Sequence, residues 1–357
     1  MKNLYKHIVF AGILLATLSQ TACKNDDFLD KYPPDSFNEK GYFNTDNDLK
    51  IFANRFYGSL PVQILIYNDG DSDNMVPRNV NTFLAGNYTV PASGGGWSTG
   101  DWNGIYNCNF FLDNYSRSTG LHKEQFAAEV RFFRALYYWD KVKTFGDVPL
   151  VLTKVNDASP IIYGPRVPHK QVMEKVLEDL DFAVQYLPAK ASAEAGRLHK
   201  DAALALKSRI ALWEGTFRKY HGLGDETSWL QAAADASQAL INSGRYRVYS
   251  TGNPTKDYRN LFIQKDLSTN SEAIMARTYI QGIGTHGYTR TAGENSTGCS
   301  KDFMENYLFT DGKPISGTSF TYDDSTPAGE AANRDPRYAQ TVATPGFVWT
   351  ENPDPTR

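Results

Sequence analysis

The stretch that decides the fold is EVRFFRALYYWDKVKTFGDVPLV, residues 129–151. Apolar side chains in and just before it recur at steps of four, three and four, at Phe126, Val130, Phe133 and Tyr137. This spacing predicts an amphipathic α-helix with one face turned to a core. An arginine inside such an aromatic helix usually pairs with a buried acid or a carbonyl. We therefore predict that Arg131, Phe133, Arg134 and the FGDVPL turn belong to the scaffold, not to a binding site.

Three later segments have the same helical period, namely residues 169–188, 199–220 and 229–244. They begin about every 30 residues, and alanines at 202, 203, 205 and 232–234 let helix backbones approach closely. Helix pairs with a period in the low thirties are typical of tetratricopeptide-like stacks. Another helix is predicted after Thr45, which has the side chain of an N-cap. The sequence thus predicts an all-α fold, with tetratricopeptide-like helix pairs and long irregular loops, over residues 45–250.

Loops make up much of the rest of the chain. Residues 61–101 lack helical period, and a helix is expected to resume near Trp102. After residue 250 the helical signal weakens, and the sequence is rich in Gly, Ser, Thr and Asp. We therefore treat residues 251–357 as a second, loop-rich region.

The amino terminus has the layout of a secretory leader. Lys2 and Lys6 precede an apolar run at residues 8–18, which is too short for a spanning helix because that needs ~20 apolar residues. Cys23 follows small residues and is a candidate lipidated first residue, with 1–22 as signal peptide and 23–44 as tether and arm. The alternative is an ordinary secretory leader with a nearby cysteine. Gln20 favours that alternative, because lipoprotein cut sites usually carry an aliphatic residue there.

Composition excludes some function classes. The formal charge of the 357-residue chain is −3 and becomes −5 when the two leader lysines are removed, which argues against nucleic acid as a partner. Besides Cys23, the cysteines are Cys108 and Cys299, too few for a disulfide framework. These two residues either pair with each other or remain buried thiols.

Two short stretches match known binding motifs, but the residues that each motif requires around it are missing. GIGTHG at 282–287 matches a dinucleotide fingerprint, but YTRTAGENSTG after it cannot open a packed helix. DGDSDN at 69–74 places aspartates like a calcium loop, but Asn74 and Val80 stand where an EF-hand needs Gly and Glu. No cofactor is predicted, and a looser structural calcium site remains open.

The sequence contains no recognisable catalytic or metal-binding motif. The histidines lack metal spacing, and the sequence has no G-x-S-x-G elbow and no P-loop. A glycosidase needs two carboxylates across a cleft. Sequence spacing does not identify such a pair, so no catalytic residue is nominated.

An aromatic loop is the main candidate for binding. Trp97 follows three glycines in a polar loop, a position suited to stacking on a ligand. Sugar rings offer apolar C–H faces to an aromatic, and polar side chains take their hydroxyls. Asp73, Asn74 and Arg78 lie in the same loop region. Alternatively, Trp97 pins the loop to the body; Trp102 is predicted to belong to the core.

Four stretches together resemble one family. EVRFFRALYYWDKVKTFGDVPLV is similar to the hallmark of the SusD/RagB family of outer-membrane nutrient-binding lipoproteins. WNGIYNCNFFLDN at 102–114, CKNDDFLDKYPPDSF at 23–37 and NRDPRYAQTV at 333–342 resemble other parts of that family's pattern. The match runs in order over nearly the whole mature chain.

The resemblance implies an α-helical, tetratricopeptide-like fold and a non-enzymatic role in capturing a glycan at the cell surface. It implies a TonB-dependent SusC-like transporter as partner and an outer-membrane lipid anchor on Cys23, with the KNDD after it directing the protein to the exterior face. Family members usually continue past the R-D-P-R element, so the C-terminal part is expected to be incomplete.

Ligand residues are expected in the long loops. Besides Asp73, Asn74, Arg78 and Trp97, the later loop contributes Tyr279, His286 and Tyr288 as candidates. Two alternatives to glycan capture remain open. One is a structural lid subunit of the transporter that binds peptides or no glycan, and the other is a glycoside hydrolase.

Overall fold

The structure is a computed structural model that describes residues 41–60, 69–77, 79, 82–264, 266–280, 282–284 and 298–347. These residues form ten α-helices. In chain order they are α1 (Asp46–Asn54), α2 (Asn103–Asn114), α3 (Lys123–Phe145), α4 (His169–Tyr186), α5 (Lys200–Tyr220), α6 (Glu226–Asn242), α7 (Asp257–Phe262), α8 (Lys301–Glu305), α9 (Pro327–Ala331) and α10 (Tyr338–Thr341). The predicted leader and Cys23 lie outside the described residues.

The predicted helical period is confirmed. From α2 to α6, each helix packs against the next one in the chain, and α1 packs on α3. The helices α4, α5 and α6 begin at residues 169, 200 and 226, close to the predicted repeat. Thr45 caps α1 as expected, because its Oγ1 accepts from Asp48 N while Asp48 Oδ2 accepts from Thr45 N. The fold is therefore mostly helical, as predicted.

One core runs through α1 to α6. Phe126, Val130 and Phe133 are buried as the spacing predicts, together with Tyr138 from the same helix. The predicted apolar stripe of α6 is less accurate, since Ile241 is 69% exposed there. This helix is the last of the stack and packs mainly on α5, so a residue at its end can stay exposed.

Close packing of α5 and α6 depends on a glycine that the sequence reasoning missed. A Cβ on Gly215 would lie 2.8 Å from Leu230 Cδ2, so only glycine allows this approach without a shift. Nearby, the hydroxyls of Ser208 and Ser237 are 2.6 Å apart. Together these small residues let the two helix backbones come together.

The loop-rich region after residue 250 contacts an early loop through a short sheet. Strands β1 (Met75–Val76) and β2 (Gly298–Cys299) pair antiparallel, with Met75 opposite Cys299. Within the later region, Arg334 binds the Glu330 carboxylate at 3.0 Å and the Tyr307 carbonyl at 2.8 Å. We call β1 and β2 the clasp.

Two further observations concern the helices and the cysteines. In the described part of the chain, no helix combines the length and the apolar character that crossing a bilayer requires. Cys108 is buried in α2 and Cys299 lies in β2, and both are free thiols. The two cysteines therefore do not pair.

Candidate functional site: an aromatic cleft

A cleft of about 590 Å³ opens between the Trp97 loop, the start of α2 and the segment 149–162. We call it the aromatic cleft. Its aromatic wall consists of Trp97, Trp102 and Tyr106, and its polar side chains are Thr99, Asn103, Asn109, Thr153, Asn156 and Asp157. This volume lies within the usual range for small-molecule sites, ~300–1,000 Å³.

Trp97 is placed by a loop of three consecutive glycines. Gly94, Gly95 and Gly96 have φ of +77°, +61° and +88°, values that side-chain-bearing residues rarely adopt. A Cβ on Gly96 would also lie 3.4 Å from the Phe145 ring. The three glycines therefore turn the chain so that Trp97 reaches the body, where its ring meets Phe145 edge-on at 4.6 Å.

The contacts of Trp97 match both sequence interpretations, stacking on a ligand and pinning the loop to the body. Its ring packs edge-to-face on Trp102 at 5.4 Å, and the Arg166 guanidinium lies 4.4 Å from the ring centroid. These contacts pin the loop. Trp97 is nevertheless only partly buried and lines the cleft, so the pinned ring remains a wall of the cavity. Trp102, predicted as core, lines the same cavity.

A buried lysine ties the loop to α3. Lys141 Nζ donates to the Gly96 carbonyl at 2.5 Å and lies 5.2 Å from the Trp102 ring centroid. Burial lowers the pKa of Lys141, partly opposed by the nearby Asp101 carboxylate. Asp101 Oδ2 accepts from Ser98 N at 2.9 Å, which fixes the turn between the two tryptophans.

The predicted scaffold motif builds one wall of the cleft. Asn109 lines the cleft and donates to the Val151 carbonyl at 2.7 Å, while its Oδ1 accepts from Arg134 Nη1 at 3.0 Å. Arg134 in turn binds both oxygens of Asp179, at 2.7 and 2.8 Å. The prediction that Arg134 pairs with a buried acid is therefore confirmed, and the pair orients a cleft residue.

Tyr138 completes this wall. Its hydroxyl donates to the Val151 carbonyl at 2.7 Å and accepts from the Val151 amide at 2.8 Å. Burial raises the pKa of Tyr138, so its hydroxyl remains protonated and can donate at neutral pH. The backbone of Val151, which lines the cleft, is thus fixed from both sides.

The predicted site residues do not all meet here. Asp73 and Asn74 are exposed beside the clasp, and both their carbonyls accept from Ser300. Tyr279 is partly buried and lines a separate cavity with residues 190–199. Arg78, His286 and Tyr288 lie outside the described residues. Among the predicted site residues that the structure describes, Trp97 alone lines the aromatic cleft.

Sequence reasoning missed several cleft residues. Trp102 and Tyr106 are four residues apart and so share a helix face, and Asn103 is adjacent. That spacing is visible in WNGIYN, but it fits a core face equally well. Asp157 and Asn156 come from a loop without periodic signal, so only the tertiary structure brings them in.

Metal binding has no geometric support in the part of the chain that the structure describes. There, no group of three or more His, Cys, Asp or Glu side chains is placed to hold an ion. Asp69 and Asp73 of the predicted calcium-like turn are exposed.

Comparisons with known proteins give a consistent picture. A SusD-like family model, described as starch-binding and associating with the outer membrane, matches residues 27–212. One curated SusD-like protein of Formosa agariphila is 28% identical over 181 residues, which cover 51% of this chain and 32% of that protein. A second one is 33% identical over 119 residues, covering 31% and 21%.

Solved structures agree on the fold. A SusD-like protein from Bacteroides fragilis has a TM-score of 0.66 at 22% identity, covering 87% of this chain and 63% of its own. A SusD-like carbohydrate binding protein from the same species has a TM-score of 0.67 at 23% identity, covering 84% and 59%. The chain therefore spans less than two thirds of these proteins and about a third of the first curated relative.

Proposed function

The chain belongs to the SusD-like family, and from this premise we propose that it is a cell-surface glycan-binding lipoprotein. In this proposal the aromatic cleft holds a segment of oligosaccharide. The protein then passes that glycan to a TonB-dependent SusC-like transporter in the outer membrane. Cys23, after removal of residues 1–22, carries the lipid anchor at the exterior face.

The aromatic cleft is the single observation that carries the proposal. Trp97 and Trp102 meet at 89°, so the two rings present differently oriented apolar surfaces to the cavity. Aromatic rings contribute large apolar contacts, and Asn103, Asn156 and Asp157 supply amide and carboxylate groups for hydroxyls. Apolar faces beside hydroxyl-binding groups match the two-sided chemistry of a sugar ring.

The cleft gives little support to the hydrolase alternative. Retaining and inverting glycosidases normally use two carboxylates ~5–10 Å apart. Among the described residues, Asp157 is the one acidic side chain that lines the aromatic cleft. The proposed role is therefore binding without cleavage.

Membrane attachment and the partner rest on the family and on the leader. The family model is described as associating with the outer membrane. Two or three acyl chains on one cysteine give stable anchoring where a single chain gives only reversible binding. A lipoprotein held this way stays beside a transporter in the same membrane, which suits a capture role.

Affinity electrophoresis of residues 24–357 against a panel of neutral polysaccharides tests the proposal. We expect at least one glycan to retard the protein and to keep its original length. Trp97→Ala and Trp102→Ala should abolish the retardation, because stacking is lost. Tyr220→Ala is the matched control, since Tyr220 is 81% exposed and lies outside the cleft.

The outcomes separate the candidate functions. Shortened glycan chains would favour hydrolysis. Absence of retardation by every glycan would favour the second candidate, a structural lid subunit that binds peptides or no glycan. The observation that supports this second candidate is the partial burial of Trp97 against Phe145.

A further inference from the structure

A second cavity, of about 510 Å³, lies away from the aromatic cleft. It lies between the segment 190–199, which leads into α5, and residues 262–264 and 266–279, from the last residue of α7 onward. Among the described residues, none lines both cavities. We call it the loop cavity.

Two side chains of the loop cavity have buried polar atoms without partners. His199 is 5% exposed, and its Nδ1 has no hydrogen-bond partner. Gln264 also lines the cavity, and its Nε2 is buried and equally unpartnered. Burying a polar group without a partner costs ~1–3 kcal/mol, so two such atoms in one cavity point to a missing ligand.

The chemistry of His199 is defined by its surroundings. Burial lowers the pKa of His199 below its usual value, despite the nearby Asp201 carboxylate, so the ring is neutral at pH 7. In a neutral imidazole one nitrogen donates and the other accepts, so the unpartnered Nδ1 can take either role toward a hydroxyl. His199 Nδ1 and the Gln264 amide can therefore both pair with hydroxyl groups.

Several charged groups of the loop cavity are already occupied by the protein. Lys190 Nζ donates to the Ala273 carbonyl at 3.0 Å, and Glu194 pairs with Lys50 at 2.7 Å. Asp266 accepts twice from Ser268, at 2.8 Å each. The Arg197 guanidinium likewise binds Glu129, whereas the exposed Arg277 lies 5.8 Å from the Tyr279 ring centroid, so a cation also borders the cavity.

We propose that the loop cavity is a second saccharide site, which takes one hydroxyl-rich sugar unit against His199 and Gln264. A sugar ring carries several hydroxyls, and each can donate or accept, so hydroxyls can pair with His199 Nδ1 and with Gln264 Nε2. Leu267, Met275 and Phe262 give the cavity apolar walls for the C–H face of the ring. The proposal is independent of the aromatic cleft.

Ordered water is the competing occupant. A water occupies ~30 Å³ in the liquid and needs two to four polar partners. The loop cavity is many times larger and has apolar walls, so water would satisfy the two atoms but leave most of the cavity poorly hydrated. A sugar unit meets both requirements together.

Ligand-detected NMR and calorimetry of residues 24–357 test the proposal with glucose, galactose, mannose and xylose as probes. We expect saturable binding of at least one of them, with a Kd near 1 mM or tighter. Gln264→Leu and His199→Leu should each weaken it about tenfold or more, because each removes one hydrogen bond to the ligand. Both variants delete an unpartnered polar atom, so neither is expected to lower Tm.

Matched controls separate this site from the aromatic cleft. The monosaccharide binding that Gln264→Leu weakens should persist in Trp97→Ala, because Trp97 does not line the loop cavity. No saturable binding of any of the four sugars would overturn the proposal and leave water as the occupant. Loss of binding in Trp97→Ala alone would also overturn it while supporting the aromatic cleft.

Discussion

Replacing Arg134 by leucine tests how far the buried ion pair supports both the helix stack and the cleft. Arg134 spans three helices: it lies on α3, binds Asp179 of α4 through two hydrogen bonds, and holds Asn109 of α2 at 3.0 Å. Arg134→Leu keeps an apolar side chain in the core but leaves the Asp179 carboxylate buried, with 1% of its side chain exposed. The variant therefore creates an uncompensated charge without opening a large cavity.

The expected loss follows from this geometry. Removing one partner of a buried ion pair costs ~3–5 kcal/mol. Two other cations can offset part of it, because Arg131 and Lys175 lie 3.8 and 3.7 Å from Asp179 Oδ1. We therefore expect the free energy of unfolding to fall by about 3 kcal/mol, the lower end of this range. For a domain of roughly 300 residues, with an unfolding entropy of ~2.1 cal/mol/K per residue, this lowers Tm by about 5 °C.

Differential scanning calorimetry of four proteins makes the measurement: wild type, Arg134→Leu, Asp179→Leu and the double variant. The double variant has no unpaired buried charge from this ion pair, so its Tm should fall less than that of either single variant. What remains is the unpaired Asn109 Oδ1, worth about 1 kcal/mol. A Tm change below about 1 °C in Arg134→Leu, or additive losses in the double variant, would refute the reasoning.

Two further predictions concern the glycine loop and an acid-sensitive pair. Gly96→Ala should lower Tm and weaken glycan retardation, because a φ of +88° strains any L-residue by ~1–2 kcal/mol. The control is Gly58→Ala, because Gly58 has open space around its Cβ position and no positive φ. Burial alone would raise the pKa of Asp201, but hydrogen bonds from Arg245 and Tyr246 outweigh it and lower the pKa. Asp201 therefore contributes stability above its unfolded pKa of ~3.9 that is lost as pH falls through the lower folded value. Calorimetry from pH 7 to 3 should show that Arg245→Ala is less stable than wild type at neutral pH. The difference in Tm between the two proteins should narrow below about pH 4. A difference that stays constant with pH would contradict this role.

The helix stack was predictable because its information is local. The steps of three and four residues through Phe126, Val130 and Phe133 specify a buried face wherever the helix sits. The Thr45 cap is likewise a property of four consecutive residues. Such signals identify elements, but they do not tell which face of an exposed terminal helix remains uncovered, as Ile241 illustrates.

The site was only partly predictable because it depends on which loops meet. Trp97 was identified from its glycine-rich context, yet Asp73 and Asn74 from the same long loop lie beside the clasp instead. Asn109 reads as an ordinary helical residue, and its position in the cleft depends on an arginine 25 residues away. These placements are set by long-range pairing, which a single sequence does not reveal.

The clasp has a consequence for the order of folding. Pairing Met75 with Cys299 closes a loop of more than 200 residues, and the entropy of such closure costs about 5 kcal/mol. A two-residue ladder at ~0.5–1.5 kcal/mol per hydrogen bond cannot offset that cost alone. The aromatic cleft, by contrast, is assembled within residues 97–162 and the helices next to them. We therefore expect the cleft to form early through short-range contacts and the clasp to form last, as a kinetic marker that the C-terminal region has docked.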